Sequence, residues 1–139
     1  MVQLIVGRKG KGKTKQLLDK VNTEIKDIDG NVVYLDKNTK HMFELNNQIR
    51  LINVSDYLIT KCDEFIGFVC GIISQDHDLE QMYFDSFLDI AYVDGSEIGE
   101  VVDKLENISK KFSVDFVISI SLDEHELPEN LKSKVIVAL

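Results

Sequence analysis

The sequence predicts an α/β domain of three layers, with helices on both faces of a mainly parallel central sheet of about five strands. Three observations lead there. Short apolar runs recur along the 139 residues, most followed by a segment whose apolar residues repeat at helical spacing. Strands and helices therefore alternate, as they do where parallel strands are joined by helical crossovers. A loop rich in Gly and Lys separates the first apolar run from the first helical segment, over residues 7–14.

The elements follow in order. Val2-Gln3-Leu4-Ile5-Val6 is long enough for one buried parallel strand. After the loop, Leu17, Leu18, Val21 and Ile25 recur at helical spacing. Asp29-Gly30-Asn31 reads as a turn into a second strand, Val32 to Leu35, ending at Asp36. Residues 37–49 are polar, with one helical turn expected at Met42 to Leu45, and Leu51-Ile52-Asn53-Val54 reads as a further short strand. Phe65, Phe68, Val69 and Ile72 predict a helix from about Lys61 to Ser74, and Met82-Tyr83-Phe84 a strand ending at Asp85. Ile98, Val101, Val102, Leu105 and Ile108 mark the inner face of a helix from about Gly95 to Phe112. A strand over Asp115 to Ser121, a short helix around Leu127 to Leu131 and a strand at Val135-Ile136-Val137 complete the chain.

Composition narrows the class. With 44% hydrophobic residues, one Pro and eight Gly, the chain reads as globular rather than disordered. No apolar stretch approaches the ~18 residues of a membrane span, and the first residues read as a strand rather than a signal peptide. Cys62 and Cys70 share a helical pattern and read as small buried hydrophobes in a reducing, cytoplasmic compartment. With no C-x-x-C and three scattered His, a zinc site is not expected. Net charge is −8, yet Arg8, Lys9, Lys11, Lys13 and Lys15 place five of the sixteen cations within eight residues. The acidic remainder disfavours a broad nucleic-acid surface. Cations at a helix N-terminus oppose its dipole unless an anion sits there, and a polyphosphate resolves that conflict.

Residues 7–14, Gly-Arg-Lys-Gly-Lys-Gly-Lys-Thr, fit G-x-x-x-x-G-K-[ST] at every fixed position. Gly7 and Gly12 let the backbone wrap with its N–H groups inward. Lys13 supplies a point charge for β- and γ-phosphates, and Thr14 a hydroxyl for Mg²⁺, which prefers hard oxygen ligands. The whole stretch of Gly7, Arg8, Lys9, Gly10, Lys11, Gly12, Lys13, Thr14 and Lys15 is expected to contact phosphate at the start of the helix.

Strand, loop and helix over residues 2–27 resemble the P-loop nucleoside-triphosphatase superfamily, and beyond them the likeness is architectural. The resemblance implies one nucleotide-binding domain over residues 1–139, a Mg²⁺-bound nucleoside triphosphate and an Asp at the end of a second strand. The chain is also similar to a group of small single-domain proteins labelled as twitching-motility (pilus-retraction) ATPases. A motor is not expected, because the chain ends soon after its core with no room for an extra domain.

Three apolar runs end in Asp: Asp36, Asp85 and Asp94. Asp85 lies between two helix–strand units, as a metal-binding strand of the superfamily would. Asp94 follows Ile90-Ala91-Tyr92-Val93 and precedes Glu97 by three residues, so its alternative reading is an N-cap. Asp85 is the first choice and Asp36 the second. With Asp85 in place, the later strand Phe116 to Ser121 makes the chain look like the RecA-like branch, where that strand lies between the loop and Asp strands. A polar residue near the γ-phosphate is then expected from Ser121, with Ser119 as the alternative.

Ser86 stands after Asp85, where that branch often has a catalytic Glu, and Asp36, Asp56 and Asp89 are the candidate substitutes. Only Arg8 and Arg50 are present, so no conventional arginine finger is visible. The expected activity is Mg²⁺-dependent binding of ATP with slow or partner-stimulated hydrolysis, Lys13 and Asp85 being the catalytic pair and the partner unknown. ATP is preferred to GTP because no N-K-x-D guanine motif occurs. A non-hydrolysing nucleotide switch and a small-molecule kinase are the alternatives.

Overall fold

Side-chain alternation along the strands sets the layers. The computed structural model describes residues 1–139 and contains β1 (Val2–Val6), β2 (Asn31–Asp36), β3 (Ile49–Asn53), β4 (Leu79–Phe84), β5 (Asp115–Ile120) and β6 (Val135–Ala138). They form one sheet in the order β3-β2-β4-β5-β1-β6, and every pairing is parallel. The helices are α1 (Lys13–Glu24), α2 (Cys62–Ser74), the single turn α3 (Phe87–Ile90) and α4 (Ile98–Phe112). No helix is long and apolar enough to cross a membrane.

Successive strand residues face opposite ways, so each central strand feeds two cores. Leu4, Val6, Val33, Leu35, Met82, Phe84, Phe116 and Ile118 pack with α2, α3 and α4. Ile5, Val32, Tyr34, Tyr83 and Val117 pack instead with Leu17, Leu18 and Val21 of α1. Helices therefore cover both faces. Strands buried on both sides read as continuous apolar runs, which is why β1, β2 and β5 stand out in the sequence.

The sheet has six strands where about five were expected. The short strand read at Leu51 to Val54 is β3, which starts two residues earlier and ends at Asn53; it is an edge strand paired with β2 alone and half-exposed over most of its length. β5 lies between β1 and β4, the position the RecA-like resemblance implied for it. The apolar run Ile90-Ala91-Tyr92-Val93 closes α3 and turns away at Tyr92, whose φ is 55°. Asp94 accepts from the Ser96 N–H at 3.1 Å and caps the turn before α4. The short helix expected around Leu127 to Leu131 is a 3-10 helix, Glu129–Lys134, that follows Pro128. Cys62 and Cys70, expected to be buried, are free thiols but only half-buried.

Phe84 is the aromatic hub beneath the end of β4. Its ring meets Phe65, Phe87 and Phe116 edge-on, with centroids 5.4–6.0 Å away. Phe84→Ala should lower unfolding free energy by about 3–5 kcal/mol. Denaturant titration followed by circular dichroism measures this, and a loss below about 1 kcal/mol would show that the cluster does not anchor β4.

Candidate functional site: a polar pocket at the carboxyl edge of the sheet

All six strands run the same way, so their carboxyl ends share one edge, where ligands of open α/β sheets bind. That edge holds a cavity of about 440 Å³ with no hydrophobic residue in its lining. Its walls come from the loop after β1, the ends of β2 and β5, and the turn after β4.

The loop after β1 is shaped by its glycines. Gly12 has φ 99°, a conformation that side chains rarely adopt, and immediately precedes α1. Gly7 is limited by both conformation and space: its φ is 153°, and a Cβ there would lie 3.0 Å from that of Leu139. The start of α1 has neither a capping side chain nor an acidic residue, which leaves its first N–H groups without side-chain acceptors. The Lys13 ammonium turns back to donate to the Arg8 carbonyl at 3.1 Å. Burial pulls its pKa below the ordinary lysine value; the Asp85 charge opposes that shift and Lys9 adds to it.

Asp85 lies at the centre, only 2% exposed. Its Oδ1 accepts from the Thr14 hydroxyl at 3.1 Å and the Ser119 hydroxyl at 3.2 Å, and its Oδ2 from the Tyr34 hydroxyl at 2.8 Å. Burial, then the Asp85 charge, raises the Tyr34 pKa far above normal, so this phenol remains a donor. Ser119 also accepts from the Ser86 N–H at 3.0 Å. Ser86 itself has φ 54°, so the backbone beside Asp85 is held in a sparsely populated conformation.

Asp36, at the end of β2, is the second buried carboxyl. It is 3% exposed; its Oδ1 accepts from the Lys37 N–H at 2.7 Å, and its Oδ2 has no partner. Burial, then the Asp85 charge, pushes its pKa from 3.8 to about 6. Thr14, Asp85 and Asp36, the last with one oxygen left without a partner, all line this one cavity. Such a set of hard oxygen donors suits Mg²⁺.

Of the residues singled out by sequence, Lys9, Gly10, Gly12, Lys13, Thr14, Asp85, Ser119 and Ser121 line the pocket. Others do not. The Gly7 N–H donates outward to the Leu122 carbonyl at 2.9 Å. The Arg8 guanidinium is held by Asp123 at 2.6 Å and Glu126 at 3.7 Å. Lys11 is exposed, and Lys15 faces a separate groove with Asp19 and Asn22. Of the two serines, Ser119 touches Asp85, while Ser121 is an exposed rim residue.

Sequence reasoning missed Tyr34 and the wall formed by Lys37, Asn38, Lys40 and His41. A signal for Tyr34 existed. Tyr34 with Asp36, Tyr83 with Asp85 and Val117 with Ser119 are i, i+2 pairs that begin on the α1-facing side of the sheet. A polar residue two positions after a core residue, on three adjacent strands, marks the site. Compared with models of known protein families the chain matches none, and no curated protein matches it either.

The folded protein holds a proton on Asp36 more tightly than the unfolded chain, so protonation favours folding. Metal-free protein should be most stable with respect to this group below pH ~4 and lose up to about 3 kcal/mol as pH rises through 6. Asp36→Asn should remove that slope and stabilise the protein at pH 7. Urea midpoints at pH 4.5 and 7 test this; an unchanged slope in the variant would assign the dependence to other groups.

Proposed function

We propose that the chain is a P-loop nucleoside triphosphatase with RecA-like strand order, binding Mg²⁺–ATP at this pocket and hydrolysing it slowly. The observation that carries the reading is the 3.1 Å hydrogen bond from the Thr14 hydroxyl to the Asp85 carboxylate. It puts the last residue of the phosphate-loop motif against the carboxylate that follows β4, the two groups that hold the metal in this chemistry. The position of β5 between β1 and β4 supports the same reading. The free, half-buried cysteines fit a reducing compartment such as the cytoplasm.

Lys13 and the first amides of α1 bind the phosphates, and Lys13 leaves the Arg8 carbonyl to do so. Thr14 and Asp85 would hold Mg²⁺, which when bound neutralises charge on the β- and γ-phosphates. Asp36 orients the attacking water. Of the three candidate carboxylates it alone is buried, lines the pocket and has an oxygen without a partner; Asp89 is paired with Lys37, and Asp56 lies outside the lining. As water bonds to the γ-phosphorus, its proton passes to Asp36 and the bridging oxygen leaves with ADP. A base titrating near 6 is matched to work close to neutral pH.

A second reading is a nucleotide switch with no turnover. It is favoured by Arg8, whose guanidinium is engaged by Asp123 and Glu126, which leaves no arginine in the pocket lining.

Calorimetry should show Lys13→Ala weakening Mg²⁺–ATP binding by roughly ten- to a hundredfold, since a charge-assisted contact is worth about 1.5–3 kcal/mol. Equal affinity would sink the assignment. Phosphate release by the isolated chain should stay below about 0.1 s⁻¹, in the range of triphosphatases lacking a finger. Turnover of several per second would show an internal catalytic group outside this set, and tight binding with no release would favour the switch.

A further inference from the structure

We infer that Lys37 is the residue by which this chain distinguishes a nucleoside triphosphate from a diphosphate. The inference rests on the nucleotide reading above and goes beyond its loop, metal and water-orienting groups. The cavity has two cationic walls: Lys9 and Lys13 on the loop after β1, and Lys37 and Lys40 on the segment after β2. Motif spacing accounts for the first wall only.

Lys37 is presented by a rigid frame. Its N–H donates to the Asp36 carboxylate at 2.7 Å, and its carbonyl accepts from the Ser55 hydroxyl at 3.2 Å. The strand before it is tied to the Asp85 turn, because the Asp85 N–H donates to the Leu35 carbonyl at 2.9 Å. The backbone is thus fixed at the flank of Asp85, and only the side chain is free to move. Its ammonium pairs with Asp89 at 3.3 Å, both side chains being substantially exposed. Such a pair is weak and readily exchanged.

A terminal phosphate competes well for that ammonium. It carries more charge than a carboxylate and offers three acceptor oxygens. With the α- and β-phosphates on the loop, the γ-phosphate is the group that extends past Lys13 toward Asp85, and so toward the Lys37 wall. A diphosphate stops short of it. Asp89 then acts as a resting partner that holds the ammonium in the cavity until a triphosphate arrives. Removing Lys37 and removing Asp89 should therefore move triphosphate selectivity in opposite directions.

The test is calorimetric titration of wild type, Lys37→Gln and Asp89→Asn with Mg²⁺–ADP and with the magnesium complex of the non-hydrolysable β,γ-imido analogue of ATP. Lys37→Gln should lose roughly three- to tenfold in affinity for the triphosphate relative to the diphosphate. Asp89→Asn should gain a few-fold in the same ratio, and Lys37→Arg should restore most of the preference. If the wild type binds both ligands and the ratio is unchanged in both variants, the Lys37 assignment falls while the nucleotide reading stands. If the wild type binds neither ligand, the nucleotide reading fails and takes this inference with it.

Discussion

Asp85 is a carboxylate removed from water at the floor of a pocket, and the arrangement around it follows from keeping it there. A buried carboxylate is tolerated only when its oxygens are matched by donors and its charge by a cation. Three hydroxyls serve the oxygens: Thr14 from the first turn of α1, Tyr34 from β2 and Ser119 from β5. Lys13, one residue before Thr14, supplies the opposing charge. Tyr34 and Ser119 reach Asp85 from both sides because β4 lies between β2 and β5. A different strand order would leave a buried charge short of partners, so sheet topology and site chemistry constrain each other.

The two faces of the sheet divide the work. The α2–α4 face is apolar, with Phe65, Phe84, Phe87 and Phe116 packed edge to face. On the α1 face the core grades into hydroxyls and carboxylates toward the strand ends: Tyr34 then Asp36, Tyr83 then Asp85, Val117 then Ser119. Polar side chains are thereby aligned without breaking the larger core. Tyr83 shows the same economy at the other end of α1, where its hydroxyl donates to Glu24 at 2.8 Å and burial raises its pKa. Both tyrosines keep an apolar ring in the α1 core and a hydroxyl against a carboxylate.

Much of this was legible in the sequence because the signals were local. A strand, a full phosphate-loop motif and an amphipathic helix occupy the first 25 residues, and each is specified by its neighbours in the chain. Asp85 could be picked from three candidates by its place in the element order. Residues 37–41 were opaque for the opposite reason: they carry no periodicity, and their relevance comes from β2 lying next to β4, a non-local fact. Arg8 was misjudged because its partners, Asp123 and Glu126, are more than a hundred residues away in the chain. Asp94 fitted two roles by sequence, and the turn before α4 uses it as a cap.

The lining of the pocket also bears on what the proposed ligand must supply. None of its residues is hydrophobic, whereas a nucleobase is held chiefly by apolar and stacking surface. Under the proposed function the groups gathered here answer instead to phosphate and metal: ammonium groups on two walls, a helix start without an acidic residue, and one carboxylate, Asp36, with an oxygen short of a partner. In the proposed reading, affinity then depends mainly on the number of phosphates and on the metal that accompanies them, with the base contributing less. In that reading Lys37 exchanges its partner when a third phosphate is present, and the Asp85 cluster beside it is the part that must stay in place. The hydroxyls of Thr14, Tyr34 and Ser119 provide that fixity before any ligand arrives.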